Sequence, residues 1–277
     1  MPSLKDLIRS VTPPAILKIY RGRKNSPHTG MWHGNYPSWQ QAAALCDGYD
    51  DKLILEKCKN ALLQVKNGEA AYERDSVVFD EVQYSEPLIA ALQNLASANG
   101  KLCVLDFGGS LGSTYFQNAG HLKHVKNLQW CIVEQGHFVE CGKEYFESGQ
   151  LKFYASVEEC MQEQKPDALL LSSVLQYLPE PYLWIKKLIA LNIPDIIIDR
   201  TSFIQSPAVS RITVQNVPPE IYEASYPCWF FNEQEFLKAF SATYSIGDDF
   251  DSFADPAQTS HDGLKMYWKG YILKHRN

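Results

Sequence analysis

The 277-residue chain is 45% hydrophobic and 21% charged, with a formal net charge of −6. That is enough apolar material for one large core with a small appendage, and the acidic balance excludes a global basic field that would draw nucleic acid or an anionic membrane. The seven cysteines form no C-x-x-C pair, the histidines show no metal-ligand spacing, and no run approaches the ~20 apolar residues of a membrane helix, which predicts a cytoplasmic chain without a metal site.

In chain order, residues 3–24 carry two short amphipathic pieces around Pro13 and Pro14 and end in Arg21-Gly22-Arg23-Lys24. This basic arm is expected either to pack on the domain or to touch a membrane surface or a protein partner. The aromatic-rich stretch 31–39 covers a pocket or plugs an edge. Helical periodicity runs through 42–46, 54–65 and 87–95, so residues 1–98 are expected to form a helical extension or cap, and residues 99–277 the main domain.

From Leu102 onward strand-like and helix-like runs alternate: 102–106 then 113–122, 129–134 then 137–147, 151–155 then 157–164, 168–172 then 179–191, and 195–199. Such alternation predicts βαβ units and a parallel sheet. Ser156 with Glu159 reads as a capping box for the third of these helices. Beyond Asp199 the pattern predicts an inserted strand over 211–217, a helix capped by Asn232 with Glu235 and ending near Phe240, and two closing strands over 243–247 and 264–273.

The segment 104–113, Val-Leu-Asp-Phe-Gly-Gly-Ser-Leu-Gly-Ser, reads as a buried strand ending in an acid, then a glycine-rich turn that opens a helix. Glycines let the backbone approach a ligand and reach positive φ, and a helix start offers unpaired N–H groups. The G-x-G-x-x-G of dinucleotide sites is not met. A second apolar run stops at Glu134, about 20 residues past Gly112, where an acid can accept hydrogen bonds from ribose hydroxyls. In an open α/β sheet ligands bind beyond the strand carboxyl ends. Asp106, Glu134, Ser172, Ser173 and Asp199 all fall there, and should line one rim.

The turn resembles the D-x-G-x-G-x-G turn of class I S-adenosylmethionine-dependent methyltransferases, with Asp106, Gly108 and Gly112 in three of the four places and Ser110 where the middle glycine would stand. Taken together, the segments 32–39, 72–76, 104–113, 133–135, 172–178 and 198–201 resemble a little-characterised bacterial family of methyltransferase-like proteins, some associated with surface-polysaccharide gene clusters. The resemblance covers nearly the whole chain. It implies a Rossmann-like α/β fold: a seven-stranded, mostly parallel sheet with an antiparallel C-terminal strand and helices on both faces, plus the N-terminal helical extension. It also implies S-adenosyl-L-methionine as cofactor and a small-molecule, glycan-related acceptor. The backbone of Gly108, Gly109, Ser110 and Gly112 would then pack on the methionine part and ribose. Asp106 would orient the turn or the ammonium, Glu134 would hold the ribose, and Gln135 would lie beside the adenine. Ser156 stands where an adenine-contacting acid is usual, and Ser172 and Ser173 face the reactive methyl.

Candidate acceptor-binding residues are Tyr72, Arg74, Gln176, Arg200 and Tyr226. Asp199-Arg200 is a charged pair directly after four apolar residues, so it must be paired or put to use; structural pairing with Asp75, with Glu73 or with each other, and substrate binding, all remain open. Methyl transfer needs chiefly alignment, with a general base when the acceptor is a hydroxyl or a protonated amine; Asp199, Tyr177 and His261 are the candidates. Two rival readings stand: a non-catalytic module of the same fold acting in envelope polysaccharide assembly, and an NAD-dependent sugar oxidoreductase or epimerase.

Overall fold

A computed structural model describes residues 31–46, 51–205, 207–218, 224–260 and 262–276. The basic segment 3–24 and His261 lie outside the described residues.

An eleven-stranded sheet organises the described chain. Its centre is built from β4 (Leu102–Phe107), β5 (Leu128–Val133), β6 (Leu151–Tyr154), β7 (Ala168–Ser172) and β8 (Asp195–Ile204). These run parallel in the order β6-β5-β4-β7-β8. Strands covered on both faces must be apolar nearly throughout, and all six residues of β4 are buried. Beside β8 lies antiparallel β13 (Lys265–His275), and beside β13 lies antiparallel β11 (Tyr244–Asp251). The order β6-β5-β4-β7-β8-β13-β11 is the seven-stranded layout expected from the sequence.

Four further strands make the sheet larger than that expectation. The last residues of β8 pair on their other edge with β10 (Ser225–Asn232). Outward from β10 come β9 (Arg211–Asn216) and then β1 (Trp32–Tyr36), both antiparallel, while the two-residue β12 (Gln258–Thr259) pairs with β13. The N-terminal extension is therefore not purely helical. Besides α1 (Trp39–Ala43), α2 (Asp51–Asn67) and α3 (Glu86–Asn99) it contributes β1 to the sheet and a separate hairpin of β2 (Tyr72–Arg74) and β3 (Val77–Phe79). Trp32 packs its ring against Phe230 and Trp268, so the 31–39 stretch plugs an edge.

Crossover helices follow the first four core strands: α4 (Ser113–Asn118), α5 (Gly136–Tyr145), α6 (Val157–Glu163) and α7 (Pro181–Ile189), with α8 (Glu233–Lys238) after β10. Ser156 caps α6 by accepting from the Glu159 N–H, and Glu159 returns a bond to the N–H of Ala155. Asn232 caps α8 through the Glu235 N–H. The two faces carry separate cores. One joins Val104, Trp130, Ile132 and Ile197 to Ile54, Leu62, Leu88 and Leu92 of α2 and α3. The other joins Leu105, Cys131, Leu171 and Ile198 to Val157, Ile185 and Phe236. All seven cysteines are free thiols, and no helix among the described residues is long and apolar enough to cross a membrane.

Candidate functional site at the sheet's carboxyl ends

Between β4 and β7 the strand order changes direction, and in open α/β sheets ligands bind in the crevice outside the strand ends at such a point. The chain leaves β4 through left-handed Gly108 (φ 74°), Ser110 (φ 54°) and Gly112 (φ 107°), the last serving as N-cap of α4. Only glycine takes such angles freely. A Cβ on Gly108 would also stand 2.4 Å from Cγ2 of Val174, so this turn lies directly against the loop that follows β7.

Asp106 sits beneath the turn. It is 1% exposed, its Oδ2 accepts from the Trp130 indole N–H at 2.9 Å, and a Cβ on Gly109 would meet its carboxyl group at 2.6 Å. Burial pushes its pKa up to about 7 against the opposing pull of the Trp130 bond, and the Glu134 charge adds to the rise. Glu134 accepts from the backbone N–H of Ser110 at 3.2 Å and of Gln135 at 2.8 Å. Each of its oxygens keeps a second lone pair for a ligand. Burial raises its pKa, and the two backbone bonds counter that rise. Ser156 accepts the α6 cap bond and keeps its hydroxyl hydrogen and one lone pair to offer.

The hairpin β2–β3 leans over the same turn from the other side of the crevice. Glu73, 3% exposed, accepts from the Ser113 hydroxyl at the start of α4 and from the Ser76 N–H at 3.1 Å. Burial lifts its pKa to about 7, outweighing the Ser113 bond. Cys58 of α2 meets Ser110, and burial together with the charges of Glu73 and Asp75 pushes its thiol up to about 12, which leaves it unreactive.

On the far side, Ser172 donates to Asp199 Oδ2 at 3.2 Å and the Ser173 N–H donates to the Asp199 carbonyl. Arg200 forms no side-chain ion pair with its neighbour, although its charge and its backbone N–H both favour the Asp199 carboxylate. Its guanidinium reaches Asp255 at 3.0 Å and Asp75 at the hairpin tip at 3.1 Å, so the sequence expectation of pairing with Asp75 is met and a second carboxylate is added. Gln176 is fully buried and donates to Ser173 Oγ and to the Arg200 carbonyl. Tyr177 donates to Gln215 at 3.0 Å and meets Tyr226 edge to face; burial raises its pKa well above the usual tyrosine value, so it is a poor proton acceptor. Tyr72 stacks on Phe79, and Arg74 bonds Gln83 and lies over the rings of Phe79 and Phe253. These last two are spent on holding the hairpin together.

Trp130 and Asp255 escaped the sequence reading. For Trp130 a signal existed: a tryptophan deep in a strand needs a partner for its N–H, and the adjacent strand offers Asp106. Asp255 lies in a loop without periodicity, and nothing local marks it. Among the described residues no three metal-ligating side chains cluster.

No protein-family model matches the chain, and no curated protein matches it. Solved structures do. The N-terminal domain of EvdMO1, solved in the presence of SAH and D-fucose, aligns over 82% of this chain and 98% of its own, at 13% identity and a TM-score of 0.47. A S-adenosylmethionine-dependent methyltransferase from Clostridium acetobutylicum aligns over 67% and 89% at 12% identity and a TM-score of 0.42. CalS10, an amino pentose methyltransferase from Micromonospora echinaspora solved with SAM, aligns over 70% and 92% at 9% identity and a TM-score of 0.40.

Proposed function

We propose that the chain is an S-adenosyl-L-methionine-dependent methyltransferase acting on a small-molecule acceptor. The observation that carries this reading is the left-handed turn 108–112 at the switch in strand order, packed on the Asp106 carboxyl group and tied to Glu134 through the Ser110 N–H. Glycines without side chains over a crevice, a helix start beyond them and an acid at the next strand end fit a nucleoside with a charged tail. In this reading Gly108, Gly109, Ser110 and Gly112 hold the methionine part and ribose, Glu134 takes the ribose hydroxyls, and Gln135 and Ser156 flank the adenine. Ser172 and Ser173 face the transferring methyl. The bound cofactor would supply an already activated methyl carbon, and the chain would supply alignment and exclusion of water.

The narrower form of the proposal, a glycan-related acceptor handled in the cytoplasm of a bacterium, rests on the sequence resemblance and on the unpaired thiols. Aromatic rings that could stack on a sugar give it no support where Trp32 and Phe230 pack against each other and Trp268, and Trp229 stacks on Phe231.

Isothermal titration with S-adenosylhomocysteine, with NAD in parallel, tests the reading. Micromolar binding of the first alone is expected, and Glu134→Ala should weaken it by about 10-fold or more, the loss of charge-assisted bonds to the ribose. Binding of NAD alone, or of neither, would overturn the assignment.

A further inference from the structure

The strand expected to end at Asp199 runs on to Ile204, and midway along it, level with the end of β7, the backbone is irregular in a way that ordinary sheet pairing does not require. Against β13 the register passes from Ile198↔Tyr271 to Thr201↔Lys269, so Asp199 and Arg200 together oppose Gly270. That is a β-bulge, a device that re-aims side chains next to functional sites. Arg200 takes φ 51°, and Ser173 at the end of the neighbouring strand takes φ 53°. Two non-glycine residues in the left-handed region side by side, one within β8 and one just past β7, are a strained arrangement held by the surrounding fold.

The arrangement leaves two buried acceptor atoms unpartnered. Asp199 is 2% exposed; Oδ2 takes the Ser172 hydroxyl, and Oδ1 has no partner. Gln176 spends its amide N–H groups on Ser173 Oγ and the Arg200 carbonyl, and its Oε1 has no partner. The amide orientation is fixed by chemistry, because a carbonyl can only accept. Arg200, the nearest cation, is committed to Asp75 and Asp255. Buried acceptors in this state are costly unless a donor reaches them.

Resting on the methyltransferase reading, we propose that Asp199 Oδ1 and Gln176 Oε1 form the acceptor subsite. The acceptor they take is neutral or cationic and presents an X–H group, a hydroxyl or an amine, with Asp199 receiving its proton. The X–H electron pair forms the bond to the methyl carbon, the C–S pair leaves with the thioether sulfur, and Asp199 returns the proton to water. An anionic acceptor would meet three carboxylates around one committed arginine, so carboxylates and phosphates are excluded. Ser172 is the positioning residue, since it holds Oδ2 and leaves Oδ1 free.

The test uses three pyranose probes that differ in the group they carry: methyl glucoside, glucosamine and glucuronate. Each is titrated by ligand-observed NMR onto the full chain preloaded with S-adenosylhomocysteine. The first two should bind and glucuronate should bind about 10-fold more weakly or not at all. Asp199→Asn, which keeps the size of the side chain and can still accept from Ser172, should weaken the first two by about 10- to 100-fold, the loss expected for a bond to a charged group. Ser172→Ala should weaken them by a smaller factor, and melting curves confirm that both variants fold. Equal or preferred binding of glucuronate, unchanged affinity in Asp199→Asn, or no binding of any probe to the loaded chain would overturn the subsite. Failure to bind S-adenosylhomocysteine in the first place would instead overturn the reading beneath it, and the subsite with it.

Discussion

Three buried carboxyl groups ring the crevice, and each holds its proton more tightly in the folded chain than a free side chain does. Burial raises Glu73 to about 7, Asp106 to about 7 and Asp199 to about 6. Below about pH 4 these groups are protonated both folded and unfolded; between about 4 and 7 the folded chain binds the extra protons, so stability falls as pH rises through that window. The ligand-free chain should therefore melt at a lower temperature at pH 8 than at pH 5. Glu73→Gln should flatten that slope, by on the order of 1–3 kcal/mol across the window. The slope is the readout, because the variant also loses one of the two bonds that Glu73 accepts from Ser113 and Ser76. A slope equal to wild type would show that Glu73 titrates normally. Gly108 offers a second residue-scale test. It sits at φ 74°, and a Cβ there would stand 2.4 Å from Val174 Cγ2. Gly108→Val should cost about 1–3 kcal/mol and abolish S-adenosylhomocysteine binding in titration calorimetry.

At the scale of elements, two pieces join the walls of the crevice. The β2–β3 hairpin turns through Asp75 (φ 52°) and Ser76 (φ 63°), the paired positive angles of a tight two-residue turn. From that tip Asp75 reaches Arg200, while Glu73 reaches the start of α4; the hairpin thus links the β4 side of the crevice to the β8 side. The second piece is the bulge in β8, and it depends on Gly270. A Cβ there would stand 2.1 Å from the Phe250 ring and 2.7 Å from the Ile198 carbonyl oxygen. Gly270→Ala should consequently destabilise the chain by about 1–3 kcal/mol and raise amide hydrogen exchange in β8 and β13 ahead of the rest of the sheet. Uniform exchange across all strands would argue that the bulge is not a local weak point.

For the molecule as a whole, one sheet gathers strands from 32–36 through 265–275, and the core on one of its faces is shared by residues on both sides of the expected boundary at 98/99. Ile54, Leu62, Leu88 and Leu92 cover Leu102, Val104, Trp130 and Ile132. A chain beginning at residue 99 would leave that face open as a large apolar patch. It should bind a hydrophobic dye strongly and lose the cooperative melt of the full chain; a sharp melt with weak dye binding would show that residues 99–277 stand alone.

Features that depend on neighbours in the chain were legible in the sequence. The apolar run into Asp106, the glycine turn, the Ser156 and Asn232 caps and the alternation of strands and helices are local, since backbone preference and burial periodicity act over a few residues. Asp199 and Arg200 stood out because charges after an apolar run demand an explanation. The strand β10 did not stand out. It contains Pro227, which is tolerated because β8 joins it only from Phe231 onward and leaves that stretch a neighbour on one side. The partners of these residues, by contrast, emerged only with the folded sheet. Arg200 turns away from Asp199 to carboxylates 125 and 55 residues distant, and Asp106 is claimed by an indole one strand over. Such pairings come from strands and loops brought together by the sheet, and no spacing along the chain encodes them.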